Sequence, residues 1–488
     1  MLGATPLGEG LVEFRVWAPR AGSVSVLGQE LAPETDGVFA GRVEAHAGDD
    51  YRYRLDGAAE WPDPCSRFQP EGVRGPSRIV DTREFDIRPG PQLSIDELVL
   101  YELHVGTFTP GGTFDTAIPH LAALRDAGIT AVELMPVATF PGNRGWGYDG
   151  LYTWAPHPAY DGPAGLARFV DAAHAVGLAV LLDVVYNHVG PGDEALSAFG
   201  PYFTTRHETF WGKAIDYTLR PVREWAIQNA ELWTRDYKVD GLRLDAVHAI
   251  FDDESPVHVL RELRERVGGI VISETEPDDL RPTAQWGHDA QWADALHHEL
   301  HVLLTGEHEG YYAQYGTIEG LKRELERSAP RFVGCAQNHD QVGNRAIGDR
   351  LTPEHDRVAL TTVLFSRDTP LVFMGEEYGE TRPFQFFTDH IDPFIADATR
   401  EGRKREFADW ASFAGEDVPD PQARETFERS KLHLAPAAPW FRDAVALRDE
   451  LPHELAVEIL GARRIAIHRG AYTLTVDFDA VTAELSRP

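Results

Sequence analysis

Cysteine is almost missing from this chain: Cys65 and Cys335 are the only two in 488 residues, and they lie far apart. That excludes a disulfide framework and any metal-type Cys spacing, and it suits a reducing compartment. Long apolar runs are missing too. None approaches the roughly 20 residues needed to span a bilayer. The first ten residues, Met1 to Gly10, lack a basic region followed by an apolar stretch, so no secretion signal is expected and the cytoplasm is the expected location. Basic residues are scarce: Lys plus Arg is 46 against 78 Asp plus Glu, a formal net charge of −32. So acidic a surface repels phosphate backbones and anionic headgroups, which excludes nucleic acid and membrane as expected partners. A neutral ligand such as a sugar remains compatible. No segment has a dedicated calcium-loop pattern, so no metal ligands are assigned, and no cofactor is expected.

The first 90 residues alternate in short runs, Leu11–Trp17, Ser23–Leu27, Val38–Val43 and Tyr51–Leu55, separated by turn residues. Period-two alternation with close turns predicts a small β-sandwich, residues 1–90, serving to pack rather than to bind. Pro62–Pro76 is rich in Pro and Gly and reads as a linker laid over the next domain.

From Leu98 the pattern changes. Eight apolar runs follow: Leu98–Val105, Thr130–Pro136, Leu178–Val185, Gly241–Ala246, Gly269–Ser273, Ala290–Ala295, Phe332–Ala336 and Pro370–Met374. Helical segments are expected around Ala117–Ala127, Gly165–Val176, Arg220–Tyr237, Val257–Val267, Ile318–Arg327 and Glu354–Ser366. Alternating strand and helix over this length predicts an α/β fold, a (β/α)8 TIM barrel at 91–450, with functional groups at the C-terminal ends of its strands. A doubly wound open sheet is the alternative. A helix near Pro439–Leu451 leads to Leu455–Leu460, Arg463–Ile467 and Tyr472–Val476, a small C-terminal antiparallel β domain at 451–488.

Four polar clusters fall at predicted strand ends. They are Asp183 with Asn187 and His188, Arg243 with Asp245, Glu274 with Glu276, and Gln337 to Gln341 around His339 and Asp340. Each alone has a plain structural explanation, such as a turn, a helix cap, a core histidine or a buried ion pair. Four on one rim of one barrel suggest a carboxylate-based hydrolytic site. Retaining glycoside hydrolysis needs an ionised nucleophile and a protonated acid about 5 Å apart. Asp245, two residues from cationic Arg243 on the same strand face, suits the nucleophile. Glu274, with Glu276 two residues on, suits the acid. Asp340 would then stabilise the oxocarbenium-like transition state. His188 and His339 can donate to sugar hydroxyls, and Tyr148 offers a flat face for stacking. Asp183 and Asn187 read as supports.

In this order the clusters resemble the α-amylase superfamily of retaining glycoside hydrolases. The resemblance implies Asp245 as nucleophile, Glu274 as proton donor and Asp340 as transition-state stabiliser. It places Arg243, His188, His339 and Tyr148 around the cleaved glucose. Finer motifs are similar to the branch of that superfamily that frees trehalose by cutting the α-1,4 bond beside the trehalose end of maltooligosyltrehalose. They include Tyr101–Phe108, Asn143–Gly150, Arg243–Ile250, Asp289–Asp294 with His297 and His298, Asn338–Arg345 and Phe373–Gly379, and the similarity runs from about residue 10 to about residue 480. It implies maltooligosyltrehalose and related α-glucans as ligands and no cofactor. It also implies substrate contacts from Arg243, Leu244, Ala246, Val247 and His248, from Asp294, His297 and His298, and from His339, Gln341, Val342, Gly343 and Asn344. The short segment Ser328–Arg331, the short C-terminal sheet, and Ala295 and Leu296 where Asp and Phe are expected depart from the pattern. The rival readings are a branching or debranching enzyme of the same superfamily and a catalytically silent carbohydrate-binding relative.

Overall fold

Strand alternation decides what faces the middle of this protein. In the computed structural model, which describes residues 1–327, 331–407 and 418–487, eight parallel strands close into a barrel. They are β1 (Leu100–Leu103), β2 (Ala131–Leu134), β3 (Ala179–Val184), β4 (Gly241–Leu244), β5 (Ile270–Ser273), β6 (Ala290–Trp292), β7 (Phe332–Cys335) and β8 (Thr369–Phe373). β8 pairs back onto β1, Leu371 opposite Leu100, and closes the ring. Leu100, Ala131, Leu181, Ile272, Val333 and Leu371 pack together as an apolar plug inside the barrel. Their strand neighbours Tyr101, Val132, Leu182, Leu242 and Val271 belong to the larger core under the helices. Two residues beyond the plug on the same strand faces come Glu102, Glu133, Asp183 and Arg243, all buried. A polar layer therefore sits on an apolar floor.

The surrounding helices are α1 (Leu121–Asp126), α2 (Gly162–Ala175), α3 (Arg220–Glu231), α4 (Val259–Arg266), α5 (Asp294–Thr305), α6 (Ile318–Glu326) and α7 (Pro353–Phe365). Two differ from the sequence expectation. Around Pro119 the expected helix breaks into Phe114–Ala117, a 3-10 turn at Ile118–His120, and α1. The sixth expected strand stops at Trp292, and Asp294 begins α5, a helix not among the expected segments. Every residue from Ala295 to Leu304 is buried, so no one-sided apolar stripe marks this helix.

Ahead of the barrel stand two four-stranded antiparallel sheets that share a core, Phe14 of one meeting Tyr53 of the other edge to face. The Pro- and Gly-rich stretch 62–76 is built into this unit. Asp63, Ser66 and Gln69 are fully buried, Gln69 Oε1 accepts from Ser66 and Ser77, and Arg67 donates to the Ala4 carbonyl. Side chains there satisfy a backbone that no ladder can. Behind the barrel, α8 (Pro439–Arg448) leads to a four-stranded meander. Its last strand, Thr482–Ser486, is one more than expected. Ser328, Ala329 and Pro330 of the short segment lie outside the described residues. Among the described residues no helix is long and apolar enough to cross a membrane.

Candidate active site

Arg243 organises the rim. It is completely buried, and its Nη1 donates to Asp183 Oδ2 at 2.8 Å and Asp245 Oδ1 at 2.9 Å, while Nη2 donates to Glu274 Oε2 at 2.7 Å. The guanidinium also lies over the Trp292 ring, 4.1 Å from its centroid, an arrangement that favours a desolvated cation. Burying one charge this deeply is costly unless it is paired. Here three carboxyl groups at the ends of β3, β4 and β5 pair with it.

Asp245 follows β4 directly. Its other oxygen accepts from Asn187 Nδ2 at 2.6 Å, and the same amide reaches its backbone carbonyl. Ala246 then turns into the left-handed region, φ 38, a strained conformation for a residue with a Cβ. That turn aims its N–H at Glu274 Oε2, 2.9 Å away. Asp183 receives Tyr148 Oη at 2.6 Å as well as Arg243. Burial lifts its pKa to about 7, against the pull of Arg243.

His339 is a second hub. It opens a short helix after β7, capped by the Asn338 side chain. Its Nδ1 meets Glu102 Oε1 at 2.6 Å, its backbone N–H donates to Glu102 Oε2 at 2.7 Å, and its Nε2 lies 3.4 Å from Asp340. Burial alone pulls the imidazole down, but Asp340 and Glu102 reverse that and carry it to about 10. His339 is therefore a cation at neutral pH. Tyr148 stacks on it, centroids 5.1 Å apart. Asp340 lies deep in the cleft, its carboxyl pushed up by burial and held back by His339, and it accepts from Asn344 Nδ2 at 3.0 Å. Asp294, at the start of α5, is raised to about 7 by burial and by the charges of Glu274 and Asp340.

The structure thus brings Tyr148, Arg243, Asp245, Glu274, Asp294, His339, Asp340 and Asn344 together. His188 joins them with its Nδ1 on the Asn187 side chain and its Nε2 on the Tyr148 carbonyl, and burial lowers it to about 4. His248 sits just beyond in a 3-10 turn, its Nδ1 buried without a hydrogen-bond partner among the described residues and its Nε2 4.0 Å from Glu276. Glu276 is exposed and turned to His248, so it does not act as the like-charged companion that the sequence spacing suggested. The side chains of Leu244, Val247 and Val342 pack into the main core. Ala246 and Gly343 present backbone: a Cβ at Gly343 would lie 2.1 Å from the Trp146 ring. His297 is held by the Ala336 carbonyl and Tyr312 Oη on its two ring nitrogens, so its side chain supports β7 rather than facing the cleft. His298 packs among Tyr311, Tyr312 and Tyr315 and contacts Gln341, its ring lowered to about 4 chiefly by burial. Ala295 and Leu296 are buried in α5.

Four residues of this region received no role from the sequence. Glu102 and Glu133 are carboxylates at matching register on β1 and β2; a lone acid on the inward face of an apolar strand was the available signal. Trp292 lies within the Asp289–Asp294 motif, its ring under the Arg243 guanidinium. Trp211 tips the hairpin formed by Phe203–Thr209 and Gly212–Ile215 and stacks on His188 at 4.9 Å. The adjacent Phe210 is almost fully exposed.

No family model matches the chain. It is 39% identical to the malto-oligosyltrehalose trehalohydrolase of Saccharolobus solfataricus, over 96% of this chain and 90% of that protein. To the malto-oligosyltrehalose trehalohydrolase of Deinococcus radiodurans it is 41% identical, over 92% of this chain and 83% of the relative. A crystal structure from Salmonella typhimurium, provisionally described as an α-amylase, superposes with a TM-score of 0.89 at 38% identity, covering 97% of this chain and 92% of the other.

Proposed function

The chain belongs to the malto-oligosyltrehalose trehalohydrolase family of the α-amylase superfamily, and from that premise we propose that it cuts the α-1,4 bond next to the terminal trehalose of maltooligosyltrehalose. Trehalose leaves, and a maltooligosaccharide remains, by double displacement with retention. The observation that carries this reading is the shared guanidinium of Arg243 between Asp245 and Glu274. Two carboxylates bonded to neighbouring nitrogens of one guanidinium cannot stand far apart, and the roughly 5 Å separation of a retaining pair lies within that tether.

Asp245 attacks the anomeric carbon, with Arg243 and the Asn187 amide holding its oxygens in place. Glu274 gives its proton to the glycosidic oxygen as trehalose departs, then takes one from the incoming water. Cationic His339 and Asp340 bind hydroxyls of the same ring, Asp340 opposing the positive charge that develops on it. Tyr148 supplies the stacking face, with Asp294 and Asn344 beside the leaving group. Incubation with maltooligosyltrehalose tests the reading through its products. Free trehalose and a shortened maltooligosaccharide are expected; rearranged branches or maltose without trehalose would favour the branching or debranching alternative.

A further inference from the structure

A cavity of about 350 Å³ opens where the N-terminal sheets meet the barrel rim. Arg52, Trp61 and Arg74 line it from the N-terminal unit, and Tyr152, Glu194 and His390 from the barrel loops. Its size is that of a small-ligand site. Trp61 ends the outer strand Glu60–Trp61, which is paired to Tyr53 and Arg54. The indole is half-buried, and among the described residues it has neither a ring partner nor a hydrogen bond. Tyr152 is fixed opposite through its hydroxyl on the Val73 carbonyl at 3.2 Å. Arg52 Nη2 donates to the Arg74 carbonyl at 2.7 Å. Among the described residues neither Arg52 nor Arg74 pairs with a carboxylate, although the chain carries a net charge of −32.

The loops that wall this cavity also carry residues of the active site. The turn that presents Tyr148 to Asp183 also supplies Leu151 and Tyr152 to the cavity wall. The loop that carries His188 continues into Pro191, Gly192 and Glu194 of the same wall. A backbone hydrogen bond, Gly190 N to Gly150 O at 3.0 Å, joins the two loops, and His390 Nε2 lies 3.7 Å from Asp149 Oδ2. One face of these loops touches the glucosyl site and the other forms the cavity.

We propose that this cavity is a distal glucan subsite that holds the maltooligosaccharide arm of the substrate and sets chain-length preference. The proposal rests on the function given above. A pyranose offers a C–H face to an indole and hydroxyls to planar donors, which is what Trp61 and the two guanidinium groups supply. A neutral ligand enters the acidic field of this protein without electrostatic cost. The arm belongs here, rather than the trehalose, because Tyr148 and His188 flank the glucosyl unit that Asp245 attacks, and the arm extends from that unit.

The test compares Trp61→Ala with wild type on a short-armed and a long-armed maltooligosyltrehalose. Loss of one stacking contact is expected to lower kcat/KM for the long arm about tenfold and to leave the short arm unchanged, with Trp61→Phe restoring most of the difference. An equal loss on both arms, or none on either, overturns the subsite. Absence of trehalose from every wild-type reaction would fail the proposed function instead. The subsite is then judged by titrating the full chain with maltoheptaose: weaker binding by Trp61→Ala supports it, and unchanged affinity overturns it.

Discussion

Glu133 offers a measurement that isolates the polar layer inside the barrel. It sits on β2 with 1% of its surface exposed, and among the described residues neither carboxyl oxygen has a hydrogen-bond partner. Burial first, then the charges of Glu102 and Asp183, raise it from 4.5 to about 8, against Arg243 and His339. The folded protein therefore keeps a proton that the unfolded chain releases. Stability from this source is complete below pH 4.5, falls as pH rises, and is lost by about pH 8. At about 1.4 kcal/mol per pH unit, the loss across that window is about 5 kcal/mol. Glu133→Gln places a non-titrating amide of the same shape in the same space. The amide's own unmet hydrogen bonds shift its stability by a constant, but not its slope with pH. Urea unfolding followed by tryptophan fluorescence, stepped from about pH 5 to about pH 8, should show the variant gaining on wild type throughout. Parallel curves would mean that Glu133 is already ionised in the folded barrel, and the buried-acid account would fail.

Three further outcomes bear on the site itself. Asp245→Ala should abolish turnover while leaving the unfolding midpoint near that of wild type; unchanged turnover would remove Asp245 from the mechanism. Glu274→Gln should cost between about 10²-fold and about 10⁴-fold in kcat, with a smaller loss on substrates whose leaving groups need no proton; an equal loss across leaving groups would argue against an acid role. In Glu102→Gln the carboxylate charge that helps hold His339 near 10 is gone, and burial should draw the imidazole down toward neutrality, read as a shifted histidine titration by NMR and a fall in kcat/KM at mildly alkaline pH. A titration that does not move would show that Asp340 alone maintains the cation.

What sequence revealed here, and what it concealed, follows from how local each signal is. Strand alternation and strand-end polarity are local, so all eight barrel strands and the rim carrying Asp183, Asp245, Glu274 and Asp340 were legible. The helix Asp294–Thr305 was not, because a segment buried on all sides has no contrast between faces. The hairpin bearing Phe210 and Trp211 lies in the long connection after β3, where alternation is weak and the strands are joined across a register shift. The pairing of Glu102 with His339 spans 237 residues. Nothing near either residue announces the other; only closure of β8 onto β1 brings the two strand ends together. His297 shows the converse case. A histidine pair beside a barrel rim reads as hydroxyl recognition, yet its nitrogens are used to tie α5 to the end of β7 and to Tyr312.

The polar layer also explains why Arg243 cannot be regarded as merely one partner of Asp245. Removing either carboxylate from a buried pair leaves an uncompensated charge, an effect of about 3 to 5 kcal/mol in simple pairs. Arg243 has three carboxyl partners and an aromatic face, so loss of one leaves two hydrogen-bonded carboxyl groups and Trp292 to stabilise it. That redundancy is what makes Asp245→Ala a test of chemistry and not of folding. It also frees Asp245 to become covalently bound and neutral during the reaction, because the guanidinium remains paired to Asp183 and Glu274 while the glycosyl-enzyme exists. The same arrangement gives Asp183 a function without contact to substrate: it is the partner that stays in place when the other two change state.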